Sequence, residues 1–92
     1  METGIESIGR WVYARECVQP AERVTKRWVI CSNDGEVRLG EVRWFGKWRC
    51  YAYFPDYETV YEKRCLRDIA NFCEAKTLEQ KEATKENSHA LC

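Results

Sequence analysis

Apolar and polar residues alternate with period two through the first half of the chain, then switch to helical spacing. In "RWVYARE" (10–16), Trp11 and Tyr13 fall on one side and Val12 and Ala14 on the other, the pattern of a strand. "CVQPAER" (17–23) contains Pro20 and reads as a loop. "RWVICS" (27–32) is rich in β-branched and aromatic residues and reads as a second strand. Asn33-Asp34-Gly35 follows, and Asp-Gly supplies the positive φ of a tight turn. A third strand runs from Glu36 to Phe45, with Gly40 marking a bulge. Gly46-Lys47 suits a two-residue type II′ turn, and a fourth strand, Trp48–Phe54, ends at Pro55.

That short turn sets a register in which Phe45 faces Trp48, Trp44 faces Arg49, Arg43 faces Cys50 and Val42 faces Tyr51. One face of the hairpin then carries Leu39, Glu41, Arg43, Phe45, Trp48, Cys50, Ala52 and Phe54. The other carries Val42, Trp44, Arg49, Tyr51 and Tyr53. "TVYE" (59–62) reads as a capping box opening a helix. Cys65, Leu66, Ile69, Ala70, Phe72 and Cys73 form its apolar stripe, which fades after Cys73. The expected fold is α+β: a four-stranded antiparallel meander with one C-terminal helix packed on one face. The domain spans 10–76, between an N-terminal tail (1–9) and a polar tail (77–92) that is helical or disordered.

A single helix covers one sheet face and leaves the other to solvent or to a partner. Ala52, Cys50 and Leu39 leave room for a helix, so their face is the expected core. Trp44, Arg49, Tyr51 and Tyr53 are then expected to point outward.

Composition narrows the class. The chain has 92 residues, 45% hydrophobic and 33% charged, which suits one small globular domain. No apolar run reaches the roughly 18–20 residues of a membrane span. "METGIESIGRW" has neither the basic nor the apolar region of a secretory leader, so a cytoplasmic location is expected. Cysteines stand at 17, 31, 50, 65, 73 and 92 without a CxxC pair. This spacing favours reduced, buried apolar cysteines at 31, 50, 65 and 73 over a metal site assembled from separate elements. Net charge is zero, yet residues 10–51 hold nine Lys/Arg against five Asp/Glu, and residues 52–92 hold six against eight.

"LGEVRWFGKWRCYAYFP" followed by "TVYEKRCLRDIANFCE" (39–74) resembles a family of short, uncharacterised proteins of tailed phages and prophages. In that family a WFG[RK]WRxYxFP hairpin leads into a TV[FY]…CxxDIxxF helix. Trp44, Gly46, Trp48, Arg49, Pro55, Cys65, Asp68 and Ile69 carry the likeness. "RWVYAR" and "RWVICS" look like the family's upstream strands. The resemblance implies a phage or prophage origin and brings no activity or catalytic residues. Short phage accessory proteins of this kind often bind host machinery, including defence complexes.

Candidate chemistry is sparse. His89 is the single histidine and lies in the polar tail, and there is no phosphate-binding glycine loop, HExxH or GxSxG. The reading is a non-enzyme with no cofactor and no metal. Asp68 is expected to contact Arg64 or Arg67. The candidate binding residues are Arg43, Trp44, Lys47, Arg49, Tyr51 and Tyr53, because Trp, Tyr and Arg are the types enriched at interface hot spots. Stacking of these aromatics on one another, with Arg49 over Trp44, is the competing structural reading. The partner class favoured is a host protein or complex, with an anti-CRISPR or other anti-defence role as its narrowest form and a homodimer as a further option. A single-stranded nucleic-acid binder using the sheet face is the alternative, and a minor phage structural component comes third.

Overall fold

A computed structural model describes residues 4–35 and 37–83. Among these residues the elements follow in the order β1 (Ile5–Ser7), β2 (Val12–Glu16), β3 (Arg27–Ser32), β4 (Arg38–Phe45), β5 (Cys50–Pro55) and α1 (Lys63–Ala83). The strands form one antiparallel sheet in the order β1-β2-β3-β4-β5. The class is α+β with a C-terminal helix, as expected, but the sheet has five strands instead of four. The extra strand comes from the stretch read as a tail: Ile5, Glu6 and Ser7 pair with Arg15, Ala14 and Tyr13. Its three residues are all exposed, so no hydrophobic alternation announces it.

Gly35 takes φ of 82° at the β3–β4 turn, as Asp-Gly predicts. Opposite Ile30 and Cys31 the register slips, pairing Ile30 with Gly40 and Cys31 with Arg38. Leu39 is therefore the extra residue of a bulge, and it packs against the core instead of sharing a face with Phe45. Gly40 is buried, and a Cβ there would lie 2.5 Å from the Phe54 carbonyl oxygen and 2.7 Å from the Tyr53 hydroxyl. Only glycine lets the two strands approach so closely.

The β4–β5 turn differs from the two-residue expectation. The amides of Trp48 and Arg49 both donate to the Phe45 carbonyl, at 3.1 and 2.9 Å, and residues 46–49 form the loop. Arg49, not a glycine, takes the left-handed conformation, with φ of 57°. Phe45 now faces Cys50, Trp44 faces Tyr51 and Val42 faces Tyr53. The displacement is by two residues, an even number, so apart from the bulged Leu39 each strand residue keeps the face read from the sequence.

Which face the helix covers is the reverse of the expectation. Val12, Ala14, Trp28, Ile30, Val42 and Tyr51 pack against Cys65, Ile69 and Phe72 of α1. Trp28 meets Tyr51 and Phe72 in T-shaped contacts, with ring centroids 5.3 and 5.1 Å away. Trp44, Tyr51 and Tyr53 thus lie on the covered side. The hairpin alone leaves the choice open, and β2 and β3 settle it. Their other side carries Arg15 and Arg27, next to Glu41 and Arg43 of β4, and burying those charges would cost far more than covering the aromatics.

The helix begins later than the capping box implies. Glu62 is the cap: its carboxylate accepts the amides of Arg64 and Cys65, and its carbonyl accepts from Leu66. Thr59 instead donates to the Asp56 carbonyl. The helix runs to Ala83, so residues 77–83 of the tail expected as helical or disordered are helical. Buried Thr77 explains the extension, since its hydroxyl accepts the Tyr51 amide at 3.0 Å and donates to the Cys73 carbonyl at 2.8 Å. Lys76 beside it pairs with Glu6 of β1 at 3.1 Å and with Glu79 at 3.4 Å, above the Trp28 and Phe72 rings. The part of the polar tail from 84 to 92, with His89 and Cys92, lies outside the described residues.

Two expected outcomes follow for stability. Gly40→Ala should lower unfolding free energy by about 2–3 kcal/mol, because the new methyl meets strand backbone that cannot move aside. Gly46→Ala, where a Cβ meets nothing, should change it by less than about 0.5 kcal/mol. Urea titration followed by circular dichroism distinguishes them, and equal midpoints would contradict the close approach.

The second concerns alkaline pH. Burial raises the Tyr51 and Tyr53 phenols and pushes the Cys73 thiol up from 9.0 to about 11. Burial opposes the Lys76 charge, but Glu6 and Glu79 outweigh it and its pKa is raised too. All four values are raised on folding, so their stabilising contribution is complete below the unfolded values and is lost as pH rises. The urea midpoint should fall steadily between pH 9 and about 11. Replacing Cys73 with Ala should make that fall shallower, and a midpoint flat across this window would refute the assignment.

Candidate functional site

The six candidate binding residues divide between two places. Arg43 lies on the open face, Lys47 and Arg49 are exposed in the β4–β5 turn, and Trp44, Tyr51 and Tyr53 lie on the helix side. The expected outward patch of Trp44, Tyr51 and Tyr53 is corrected accordingly. Tyr51 is 4% exposed, and its hydroxyl accepts the Lys26 amide at 2.9 Å and donates to Gln80. Half-buried Tyr53 donates to the Tyr61 hydroxyl, which donates on to the Leu39 carbonyl at 2.8 Å. Half-buried Trp44 meets Tyr51 edge to face at 5.2 Å. These side chains tie strand, helix and loop together. The Tyr51 amide on the β5 edge is already engaged by Thr77, so that point of the edge is closed to strand addition.

The open face has a different chemistry. Arg27 and Arg43 stand directly opposite one another on β3 and β4, a like-charge pair that is unfavourable unless an acid intervenes. Glu41 is that acid. Its carboxylate reaches Arg38 at 3.0 Å, Arg43 at 3.3 Å and Arg27 at 3.7 Å. Arg38 also binds Asp56 at 2.9 Å, and the hydrogen bonds it donates to Asp56 and then to Glu41 raise its pKa. Arg15 extends the basic row, donating to the Cys31 sulfur at 3.8 Å. Three arginines thus meet two carboxylates across this side of the sheet, with Arg15 beside them on a thiol.

Beside them runs an aromatic strip. The Arg43 guanidinium lies 3.7 Å from the centre of the Phe54 ring. Phe54 meets Phe45 at 6.0 Å, and Phe45 meets Trp48 at 4.8 Å. Trp48 is 60% exposed. The observed cation–π pair on this face is therefore Arg43 on Phe54. Where the sheet meets the 17–26 loop, Arg23, Arg27 and Arg43 line a cavity of about 350 Å³ with Gln19, Thr25, Glu41 and Trp44. Three guanidiniums and one carboxylate make it an anion-accepting recess.

Sequence reading missed Arg15, Arg27, Arg38 and Glu41 as surface partners. Their signal was present: Arg15 and Arg27 alternate with the buried Ala14, Trp28 and Ile30, so strand parity alone places them opposite the core. The cysteines expected inside are buried at 31, 50 and 65 and half-buried at 73, all as free thiols. Among the described residues, no three His, Cys, Asp or Glu groups stand close enough to hold a metal ion. No described helix is long and apolar enough to cross a membrane. No protein-family model matches the chain, and no solved structure matches it. It is similar to a phage protein, the "Uncharacterized 9.3 kDa protein" of Acholeplasma phage L2, at 26% identity over 53 residues, which cover 58% of this chain and 68% of that protein.

Proposed function

We propose that this chain acts by binding and that its open sheet face docks on an acidic surface of a host protein complex, modulating or inhibiting it. One observation carries the reading: Glu41 is shared by Arg27, Arg38 and Arg43. One carboxylate cannot occupy all the donors of three guanidinium forks, so this face presents organised donors for further carboxylates. The recess of about 350 Å³ beside Arg23 gives one such carboxylate a place to enter. The strip from Phe54 to Trp48 supplies the flat apolar area that protein interfaces concentrate at hot spots.

The likeness to a phage protein supports a host-directed role, of which interference with a defence complex such as CRISPR machinery is the narrowest form. Because the arginines already lie against the sheet, docking costs less side-chain entropy than ordering free ones.

The test is capture of partners from host lysate by tagged wild type, Arg43→Glu and the exposed helix control Lys63→Glu, followed by calorimetry on any purified partner. The expected result is a protein recovered by wild type and by Lys63→Glu, bound through an acidic surface. Its affinity should fall at least about tenfold with Arg43→Glu and weaken as salt rises. Recovery of the same proteins by Arg43→Glu would remove the reading. Quenching of Trp48 by single-stranded oligonucleotide, abolished by Arg43→Glu, would move the face to nucleic-acid binding instead.

A further inference from the structure

A second basic site lies on the helix side of the sheet, at the corner between the β1–β2 turn and the first half of α1. Arg10, Trp11, Arg64, Arg67, Asp68 and Asn71, with Gly9 at the base, line a cleft of about 350 Å³. This volume falls within the roughly 300–1,000 Å³ of small-molecule sites. The electrostatics differ from those of the open face. There, Arg27, Arg38 and Arg43 each reach an acid. Here, among the described residues, Arg10, Arg64 and Arg67 form no ion pair within 4.0 Å. The carboxylate of the cleft, Asp68, is packed onto Gly9 so closely that a Cβ there would lie 2.0 Å from its oxygen. The expected contact of Asp68 with Arg64 or Arg67 is replaced by this one. Gly9 thus lets Asp68 sit against the turn while the three guanidiniums keep their donors for something else.

The remaining wall is an indole. Trp11 is 47% exposed although it precedes a strand whose next residue, Val12, is 1% exposed. The Arg10 guanidinium lies over its ring at 5.1 Å from the centroid. Exposed aromatic area beside unpaired guanidiniums is the combination that holds a base by stacking and a phosphate by forked hydrogen bonds. Asn71 adds an amide able to donate to and accept from a base edge, and Asp68 adds an acceptor for a sugar hydroxyl or an exocyclic amine. The geometry points to a nucleoside phosphate as the ligand of this cleft: the base on Trp11, the phosphate between Arg10, Arg64 and Arg67. The same chemistry is offered by a free mononucleotide and by a nucleotide within single-stranded nucleic acid. The site shares no residue with the open face, so the two surfaces can be occupied together and fail independently.

The experiment is isothermal titration calorimetry of the full chain at low salt with three probes: a set of nucleoside monophosphates, a short 5′-phosphorylated single-stranded oligonucleotide, and inorganic phosphate. Saturable binding is expected for at least one of the first two, with inorganic phosphate at least about tenfold weaker because it has nothing to stack. Tighter binding of the monophosphate identifies a free nucleotide as the ligand, and tighter binding of the oligonucleotide identifies a strand. Trp11→Ala and Arg67→Gln should each weaken the winning probe by about tenfold or more. Both positions are exposed, and circular dichroism confirms that the variants fold. Trp11→Phe, which keeps an aromatic ring, should retain most of the affinity. The inference is overturned by no binding up to about 1 mM probe, by inorganic phosphate binding as tightly as the nucleotides, or by affinity that Arg43→Glu removes and Arg67→Gln leaves intact.

Discussion

Trp28 decides this architecture. Its ring takes Tyr51 from the edge strand on one side and Phe72 from the helix on the other, both edge to face. Such pairs contribute about 0.5–1.5 kcal/mol beyond the area they bury. More important, the three rings come from β3, β5 and α1, so satisfying them fixes which side of the sheet the helix crosses. Tyr51 then reaches further: its amide is held by Thr77, and its hydroxyl meets Lys26 and Gln80. A residue whose type suggests a docking surface is consumed in closing the fold. Every functional possibility is displaced to what the helix leaves uncovered.

What it leaves uncovered is basic in two different ways. On the open face, Arg27 and Arg43 oppose each other across adjacent strands and are tolerable because Glu41 lies between them, 19% exposed on its side chain. Each exposed pair of this kind contributes only about 0–1 kcal/mol. Their value lies in orientation: guanidiniums anchored at Glu41, and one of them over the Phe54 ring, are held close to the sheet. At the helix corner the opposite holds. Asp68 is turned onto Gly9, and the arginines around Trp11 form no ion pair within 4.0 Å among the described residues. An ordered, partly neutralised face suits a shape-matched macromolecule. A cleft with three guanidiniums around one carboxylate suits a small, strongly charged group.

Much of this was legible in the sequence. The strand pattern, the turn at Gly35, the bulge near Gly40 and the division of hairpin residues into two faces all follow from period-two alternation and glycine placement. Apart from Leu39 at the bulge, the division holds even with a different turn length, because moving the register by two keeps a side chain on its side. What escaped depended on tertiary contacts. β1 exists because β2 offers it an edge, not because its own residues alternate. The tail after 76 reads as helical or disordered, and Thr77 and Lys76 decide for helix through partners on β5 and β1. One hairpin taken alone suggests the wrong face for the helix to cover. Small residues such as Cys50 and Ala52 suggest room for a helix, but the charges of Arg15, Arg27, Glu41 and Arg43 forbid burial of that side.

Arg49 shows how the constraints interact. The four-residue loop requires a left-handed residue before Cys50, where glycine or asparagine would be least strained. An arginine there costs about 1–2 kcal/mol, and it is exposed in the turn that also presents Lys47 and Trp48. Nothing in the packing of the loop requires its side chain. The strain has to be borne by the rest of the hairpin, whose Trp44–Tyr51 and Phe45–Trp48 contacts hold both strands in register. Strain of this size survives only where its surroundings over-determine the backbone. The aromatic contacts that remove Tyr51 from the surface are therefore also what allows a cation to stand at the tip of the hairpin, at the end of the aromatic strip that leads onto the open face.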